Sequence, residues 1–383
     1  MATRKQRKNY GNRSKPAIVV SVIVVILAMC YVFVQPFHDF VDGIFRKRTQ
    51  GSVSEIAGDF PGLKDGELAV HFIDVGQGDS ILIQLPNGKN MLIDGGDNKT
   101  ENKNAVKEYL TAMRVETLDY LMATHFDADH IGGLASVFDY TEVKQVYIPK
   151  INEGKITTAA YRNLMTAIQN EGCPVNYSEI NMNIDFSYGE NKGGIYWLSP
   201  EEAQYKAIND NEKASQDSLD LNNVSPIMLL TYQGKKIVFT GDANCPIERQ
   251  VVKNFGQGLY GSLDLRNIDL LKAGHHGSNG TGKTAQTESG SSCQEFLDLL
   301  TPKSVVISVG AGNSYGHPHS ETLKRFDKMG SAVYRTDERG NVIALVTKNA
   351  ADTLQIYTEK QKTEQKSSEK ADEYAWIDWR RAA

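Results

Sequence analysis

The chain has 383 residues and a formal net charge of −5, and charged side chains make up 23% of it. This length suffices for one large domain or two ordinary ones, and the composition is that of a globular protein. The negative net charge gives no overall basic field of the kind that marks nucleic-acid-binding proteins. Four scattered cysteines include no CxxC pair, so they predict neither a zinc knuckle nor a disulfide framework. Three of them follow residue 50, and this odd number implies at least one free thiol.

The first 48 residues predict a membrane anchor. Six basic residues between Arg4 and Lys15 precede an uncharged run from Pro16 to Phe37. Its core, Ala17 to Val34, is long enough to cross a bilayer as a helix, which takes about 17–25 residues. The positive-inside bias then leaves the N-terminus in the cytoplasm and places the rest outside. A cleaved signal peptide is the alternative, but no A-x-A site follows and the apolar run is longer than a usual h-region.

Residues 67–349 carry the alternating and apolar patterns of one mixed α/β domain. Strands are predicted at 68–75, 80–85, 90–93, 118–123, 145–148, 227–232, 236–240, 268–271, 304–309, 332–335 and 342–346. Helices are predicted at 104–113, 158–169 and 320–329. The polar, acidic stretch from Ser199 to Asn223 is interpreted as a solvated surface loop. The remaining boundaries are a basic N-terminus at 1–16, a transmembrane helix at 17–37, a linker at 38–66 and a charged tail at 350–383.

The stretch Thr124–Gly133 places four possible metal ligands within six residues, directly after the apolar strand at 118–123. Divalent cations need several deprotonated nitrogen and oxygen ligands that converge on one point, and a strand that delivers imidazoles and carboxylates to one loop provides them. Gly132 and Gly133 then allow a tight turn into the next element. The sequence therefore predicts a metal site at this loop.

The same pattern recurs along the domain, because several other predicted strands end near an Asp or a His with glycine beside it. The recurring residues are Asp94, Asp242, His275, His276 and His317. Glycine permits close approach where a Cβ atom would clash. Strand ends of this kind, collected on one edge of a sheet sandwich, would build a single site.

Six ordered motifs together resemble the metallo-β-lactamase superfamily, and more narrowly the hydrolase domain at the C-terminus of ComEC-type DNA-uptake proteins. These motifs are Asp74–Ser80, Leu92–Gly96, Thr124–Gly133, Thr240–Asp242, Leu271–Ser278 and Tyr315–His319. The resemblance covers roughly residues 67–347. It implies an α/β fold, classed as α+β in some schemes: a four-layer αββα sandwich, here preceded by one transmembrane helix, with a metal site at one edge and hydrolytic activity.

The resemblance also implies roles for individual residues. The implied metal ligands are His125, Asp127, Asp129, His130, the bridging carboxylate Asp242, and His276. The implied catalytic residues are Asp129, which would also orient a water molecule, His275 close to the reacting phosphate, and His317 as a proton donor or substrate contact. Asp79 and Asp94 are expected to support the site from behind. Which of His275 and His276 binds the metal stays open.

The sequence departs from the superfamily pattern in two places. Asp127 stands where the wider superfamily usually has His, although the competence-type branch also resembles this chain there. No His lies between His130 and His275, so one metal position is poorer in nitrogen ligands. An oxygen-rich site shifts the expected pair of divalent ions from strictly zinc toward manganese or a mixture of the two.

Two metal ions about 4 Å apart suit hydrolysis of a phosphodiester. The leading hypothesis is therefore a membrane-anchored, extracytoplasmic phosphodiesterase or nuclease-like enzyme, whose partners are the membrane and DNA or a cell-wall polymer, with no protein partner predicted. One alternative is a cell-wall enzyme similar to the teichoic-acid phosphorylcholine esterases, and another is a non-catalytic surface-binding module. A nucleic-acid substrate would require a basic groove with stacking aromatic side chains. Its candidates are Lys272, Lys283, Arg335, Arg339, Tyr315 and Tyr334.

Overall fold

A computed structural model describes residues 56–211, 220–280 and 290–360. The predicted transmembrane helix at 17–37 and the basic segment before it lie outside these residues, as does the predicted tail beyond residue 360. None of the helices in the described ranges combines the length and the apolar character needed to cross a bilayer.

Seventeen strands form two large sheets and one small ribbon within the described residues. They are β1 (Leu68–Phe72), β2 (Ile81–Gln84), β3 (Asn90–Ile93), β4 (Thr117–Leu118), β5 (Tyr120–Met122), β6 (Glu142–Val143), β7 (Val146–Ile148), β8 (Val175–Tyr177), β9 (Asn183–Tyr188), β10 (Asn191–Trp197), β11 (Met228–Tyr232), β12 (Lys235–Phe239), β13 (Leu270–Lys272), β14 (Ser304–Ile307), β15 (Ala332–Arg335), β16 (Val342–Val346) and β17 (Gln355–Thr358). The eight-stranded sheet has the order β17-β16-β1-β2-β3-β5-β7-β8, and the seven-stranded sheet has the order β15-β14-β13-β12-β11-β10-β9.

The helices of the described ranges lie between these strands in the chain. They are α1 (Thr100–Ala112), α2 (Ala128–Ile131), α3 (Leu134–Val137), α4 (Ala159–Glu171), α5 (Glu202–Asn209), α6 (Cys245–Gly256), α7 (Gln294–Leu300), α8 (Ser320–Lys328) and α9 (Thr336–Arg339). Short 3₁₀ turns occur at Leu221–Val224 and Gly274–Gly277.

Three apolar clusters define four layers. Alternate residues of both sheets, such as Phe72 and Phe239, pack against each other in the central cluster. A second cluster joins the outer face of the eight-stranded sheet to α1 and α4, and a third joins the outer face of the seven-stranded sheet to α6 and α7. Both faces of each sheet are therefore covered, which explains why all five residues of β1 are buried. The layers follow the predicted order of helix, sheet, sheet and helix.

The hairpin predicted at Pro86–Lys89 is present, because β2 and β3 pair antiparallel with Gln84 opposite Asn90. The strand predicted at 118–123 is divided between β4 and β5, which belong to different sheets. Helices α6 and α7 and strands β8 to β10 had no counterpart in the sequence prediction. Strand β17 extends the large sheet beyond the predicted domain boundary at residue 349.

The interpretation of Ser199–Asn223 as solvated surface loop was wrong for the part that the structure describes. Helix α5 buries Tyr205 and Ile208, and the 3₁₀ turn buries Leu221 and Val224. These apolar residues are spaced among many polar ones, so no apolar pattern marks the segment as buried. The segment reaches the candidate site, where Asn222 approaches His275.

Parallel strands from both sheets direct their carboxyl ends to one edge of the sandwich. Strand β5 lies parallel to β3 and β7, and β13 lies parallel to β12 and β14. Gly241, which follows β12, has a φ of +47°, and a Cβ atom there would lie 3.1 Å from the Cβ atom of Thr124. The two sheets therefore meet closely where the chain carries its candidate ligands.

Candidate metal centre

The loop after β5 is shaped by close backbone contacts that only glycine permits. A Cβ atom on Gly132 would lie 2.4 Å from the backbone nitrogen of Asn98, and one on Gly133 would lie 2.1 Å from the carbonyl oxygen of Gly95. Distances this short are not possible for real side chains. The Gly-Gly pair thus lets the loop at 124–133 pack directly on the chain after β3.

Asp94 holds this loop from behind. Its Oδ1 accepts the backbone N–H of Thr124 at 2.8 Å, and its Oδ2 accepts the Thr124 hydroxyl at 2.7 Å. The same Oδ2 accepts Nδ1–H of His130 at 2.8 Å. A neutral His130 that donates from Nδ1 has an unprotonated Nε2 facing the site, the arrangement that metal-binding histidines commonly show.

His125 is oriented by hydroxyl groups. Its Nδ1 lies 3.1 Å from the hydroxyl oxygens of both Thr124 and Ser225. The Thr124 hydroxyl donates its proton to Asp94, so its oxygen accepts Nδ1–H of His125. The Nε2 atom of His125 is then also available as a ligand.

Three groups of possible ligands share His130, and one of them adds Asp79 and Asp94, the carboxylate that accepts Nδ1–H of His130. The other two groups contain the residues that face one another across the site. The first consists of His125, His130 and Asp242, and the second of Asp129, His130 and His276; within each group the donor atoms lie within 4.8 Å of one another. Asp242 Oδ2 lies 3.3 Å from His130 Nε2 and 3.5 Å from His276 Nε2. This carboxylate therefore stands between the two groups.

His276 closes the second group from the other sheet. Its Nδ1–H donates to the carbonyl oxygen of Ser308 at 2.9 Å, and its Nε2 lies 3.3 Å from Asp129 Oδ2. His275 and His276 have φ values of +46° and +53°, a left-handed conformation that is uncommon for residues other than glycine. Such backbone strain persists where the surroundings over-determine it, and it is frequent at functional sites.

Buried donor atoms show that a cation fits this cluster. The Nε2 atoms of His125, His130 and His276 and the Oδ1 atom of Asp242 are buried and have no hydrogen-bond partner in the described part of the chain. Leaving buried polar atoms unpaired costs free energy, so each such group calls for an explanation. Divalent cations bound by imidazole nitrogens and carboxylate oxygens would satisfy these atoms.

The electrostatics of the site also require positive charge. Burial opposes the ionisation of Asp242, but His276, His130 and His275 outweigh it and hold the pKa of Asp242 well below its usual range. Burial likewise opposes the protonation of His130, but Asp242, Asp94 and Asp129 outweigh it and raise the pKa of His130 well above its usual value. The carboxylates thus demand a compensating charge, which protonated imidazoles or divalent cations can provide.

Asp127 and His275 lie at the more open side of the site. The side chain of Asp127 is 49% exposed, and its Oδ2 lies 3.6 Å from His125 Nε2. His275 Nε2 lies 3.8 Å from Asp242 Oδ2, and its side chain is 26% exposed. Asn222 Nδ2 approaches His275 Nδ1 at 3.4 Å.

His317 reaches this opening but contacts none of the carboxylates directly. Its ring centroid lies 5.5 Å from that of His275, and the ring of Tyr315 stacks on its other side at 5.6 Å. Burial and the neighbouring His275, His276 and His319 lower the pKa of His317 to about 3. Tyr315 itself is 64% exposed, so it forms the outermost part of the opening.

Asp79 and Lys272 form a buried ion pair beneath His276. Lys272 Nζ lies 2.8 Å from Asp79 Oδ2, and both side chains are almost completely inaccessible. Asp79 Oδ1 lies 3.5 Å from His276 Nδ1. The proposal that Lys272 lines a nucleic-acid groove was therefore wrong, because its ammonium group is buried inside the domain.

Two of the other nucleic-acid candidates already have partners within the domain. Arg335 pairs with Asp337 and Glu338. Tyr334 packs against the central core, and Lys283 lies outside the described residues.

Ser225, which orients His125 and accepts the backbone N–H of Asp242, was missed because an isolated Ser in an irregular segment gives no sequence signal.

Comparison with models of protein families identifies the class of protein to which the domain belongs. Residues 73–192 match the model of the metallo-β-lactamase superfamily. The matched stretch, which includes the loop at 124–133, therefore carries a domain of this superfamily, and the enzyme class it indicates is that of the metal-dependent hydrolases. The resemblance inferred from the motifs is confirmed.

The particular relatives are competence proteins. The chain is 28% identical over 303 residues to ComE operon protein 3 of Bacillus subtilis (strain 168), which covers 75% of this chain and 34% of that protein. It is 29% identical over 278 residues to competence protein ComA of Neisseria gonorrhoeae, covering 72% of this chain and 32% of the relative. The chain thus spans about a third of the length of the curated relatives that it matches.

Among solved structures, the domain is similar to Igni18, a metallo hydrolase from the archaeon Ignicoccus hospitalis KIN4/I. The match has a TM-score of 0.43 at 15% sequence identity, and it covers 73% of this chain and 99% of the other.

Proposed function

We propose that the protein is a membrane-anchored, extracytoplasmic phosphodiesterase that uses two divalent cations, zinc or manganese. The observation that carries this proposal is the pair of ligand groups that overlap at His130 and adjoin Asp242. One group supplies His125 and the other supplies Asp129 and His276, so each group has its own ligands. Asp127, beside His125 at the open side, would complete the first group.

A bound pair of cations would supply Lewis acidity and an activated water molecule. Asp242 would fix the spacing of the pair from within the domain, because its carboxylate already lies between His130 and His276. Asp129 would orient the attacking water with whichever carboxylate oxygen does not bind metal. The present side-chain positions of Asp242 and Asp129 allow both of these roles.

His275 is the imidazole best placed to contact the leaving group. It is the partly exposed histidine nearest to Asp242, whereas the ring of His317 packs against that of His275. We therefore assign His275 as the donor of a proton or hydrogen bond to the leaving oxygen. His317 and Tyr315 would contact the substrate instead, as the outer wall of the opening.

The choice between DNA and a cell-wall polymer depends on charge. The resemblance of the motifs to ComEC-type DNA-uptake proteins favours DNA, and one relative is named competence protein ComA. Against this, Lys272 is buried and Arg335 is paired with carboxylates, so two of the expected phosphate contacts are lost. A neutral or zwitterionic wall phosphodiester is therefore the second candidate. The unsatisfied ligand atoms disfavour a site kept for binding alone.

The full chain, purified in detergent and stripped with a chelator, tests the proposal directly. We expect hydrolysis of bis-(p-nitrophenyl) phosphate to return with Mn²⁺ or Zn²⁺ at about two ions per chain. Parallel assays on single-stranded DNA, double-stranded DNA and a phosphorylcholine ester would then select the substrate. Activity that is unaffected by the chelator, or full activity with one tightly bound ion, would contradict the two-metal assignment.

The membrane topology is tested separately. The basic residues before the apolar run at 17–37 support an N-terminus in the cytoplasm. We expect protease added to intact cells to digest a tag at the C-terminus and to spare a tag at the N-terminus. The reverse pattern, or release of a soluble, shortened chain, would point to inversion or to signal-peptide cleavage.

A further inference from the structure

Two buried thiols lie next to the metal centre without belonging to it. Cys245 is the first residue of α6, shortly after Asp242, and Cys293 immediately precedes α7. Both side chains have 0% exposure. Their sulfur atoms and a carboxylate oxygen of Glu248 all lie within 4.8 Å of one another.

Hydrogen bonds hold the two cysteine segments side by side. The backbone N–H of Cys245 donates to the carbonyl oxygen of Gly290 at 2.7 Å. The carboxylate of Glu248 accepts the backbone N–H groups of Ser292 at 2.7 Å and of Cys293 at 2.6 Å. The sulfur atoms of a disulfide lie about 2.05 Å apart, so two sulfurs that already lie within 4.8 Å of each other need to approach by roughly 3 Å at most.

We propose that Cys245 and Cys293 form a disulfide bond that ties the segment after Asp242 to the segment that supports the His275–His276 turn. That support is visible in Ser291, whose hydroxyl donates to the carbonyl oxygens of Gly274 at 2.6 Å and Ser278 at 3.2 Å. The bond would link the two pieces of backbone that bring the bridging carboxylate and the late histidines together.

A small-molecule disulfide such as oxidised glutathione is a sufficient oxidant. The thiolate of one cysteine attacks a glutathione sulfur, which forms a mixed disulfide and releases one glutathione. The sulfur of the second cysteine then attacks the first cysteine and releases the second glutathione. The two thiol protons pass to the two released glutathione molecules, and the two electrons lost by the cysteines reduce the glutathione disulfide.

The burial of both sulfurs determines when the bond forms. Exchange requires access for the attacking and leaving sulfurs, so it takes place before the domain has closed around α6 and α7. Once the domain is folded, the same burial protects the bond from reducing agents. The proposal therefore expects oxidation during folding and resistance to reduction afterwards.

A metal ion is the competing occupant of this cluster, and its geometry fits less well. Soft cations bind thiolates, and structural zinc usually takes four ligands. The cluster offers three, and the oxygens of Glu248 already accept backbone N–H groups from Ser292 and Cys293. A hydrogen bond with Cys245, together with burial, also raises the pKa of the Cys293 thiol above its usual value.

The test uses the full chain in detergent, refolded in a buffer of oxidised and reduced glutathione or, in parallel, in dithiothreitol. After unfolding and alkylation, we expect the glutathione-refolded chain to lack label on Cys245 and Cys293 and to yield a proteolytic peptide that links them. Its Tm should exceed that of the reduced chain by roughly 5–10 °C. This readout does not depend on enzymatic activity.

Three variants make the test specific. Cys245→Ser and Cys293→Ser should each abolish both the linked peptide and the Tm difference. Cys173→Ser, which removes a partly exposed thiol on the other side of the eight-stranded sheet, should leave both unchanged. Full alkylation of Cys245 and Cys293 after oxidative refolding would overturn the proposal. So would a linked peptide with other partners, or a bound metal ion that only these two serine variants lose.

Discussion

The inner wall of the metal centre and its opening are built on different principles. On the inner wall, each imidazole has a second partner that fixes it: His130 donates to Asp94, and His276 donates to the carbonyl oxygen of Ser308. At the opening, the rings of His275, His317 and Tyr315 pack against one another and remain partly exposed. The difference implies that the inner wall is organised before any ligand arrives, whereas the opening can adjust to a substrate.

The largest effect is expected from His130→Ala, because His130 belongs to both ligand groups. We expect loss of the ion that His130 Nε2 would bind, since Nδ1 is committed to Asp94, and a decrease in kcat of at least about three orders of magnitude. Metal analysis and turnover of bis-(p-nitrophenyl) phosphate measure the two effects, and far-UV circular dichroism controls for folding. If the His130→Ala variant retained both ions, His130 would not be a metal ligand of the inner wall.

Lys272→Met should destabilise the domain by about 3–5 kcal/mol, since it leaves the buried carboxylate of Asp79 without its partner. Urea unfolding of the full chain in detergent would measure this change. The double variant Lys272→Met with Asp79→Leu removes both charges and should recover part of the lost stability. If the two changes were simply additive, the pair would not be acting as a unit beneath His276.

His71 supplies a reference for burial without a carboxylate partner. Burial lowers the pKa of His71 to about 3, whereas the same burial at His130 is outweighed by three carboxylates. The unfolded chain therefore binds this proton more readily, so stability is lost as the pH falls below about 6.5, by roughly 1.4 kcal/mol per pH unit. Urea unfolding at pH 7 and pH 5 should show a drop that is roughly 2 kcal/mol smaller in His71→Gln than in the unaltered chain. An equal drop in the two proteins would mean that His71 is not held neutral.

The smallest effect is expected at the opening. His317→Ala should raise KM by up to about tenfold, the scale of one lost hydrogen bond, while metal content and Tm stay unchanged. Tyr315→Phe is the matched control, because it keeps the ring that stacks on His317. If His317→Ala lost metal instead, His317 would belong to the inner wall of the metal centre and not to its opening.

Much of the fold was predictable because its signals are local. The Asn-Gly turn at 87–88 and the apolar runs of β1 and β16 follow from short-range pattern, and the structure confirms them. Helix α6 was missed because its buried apolar residues are few and interspersed with polar and charged ones, and α7 was missed because it is only seven residues long. The candidate residues at the ends of strands were recognised because glycine stands beside them, and glycine is needed where two backbone segments approach closely.

Taken alone, the sequence determined which residue types stand at the strand ends, and hence that nitrogen and oxygen ligands for cations are present. Only the tertiary structure decided how they are paired: that Asp94 braces His130, that Ser225 reaches His125 from a distant segment, and that Lys272 points inward to Asp79 instead of outward to a substrate. The physical reason is that a side chain's partner depends on contacts between remote parts of the chain. Those contacts form when the two sheets pack together, and no local pattern encodes them.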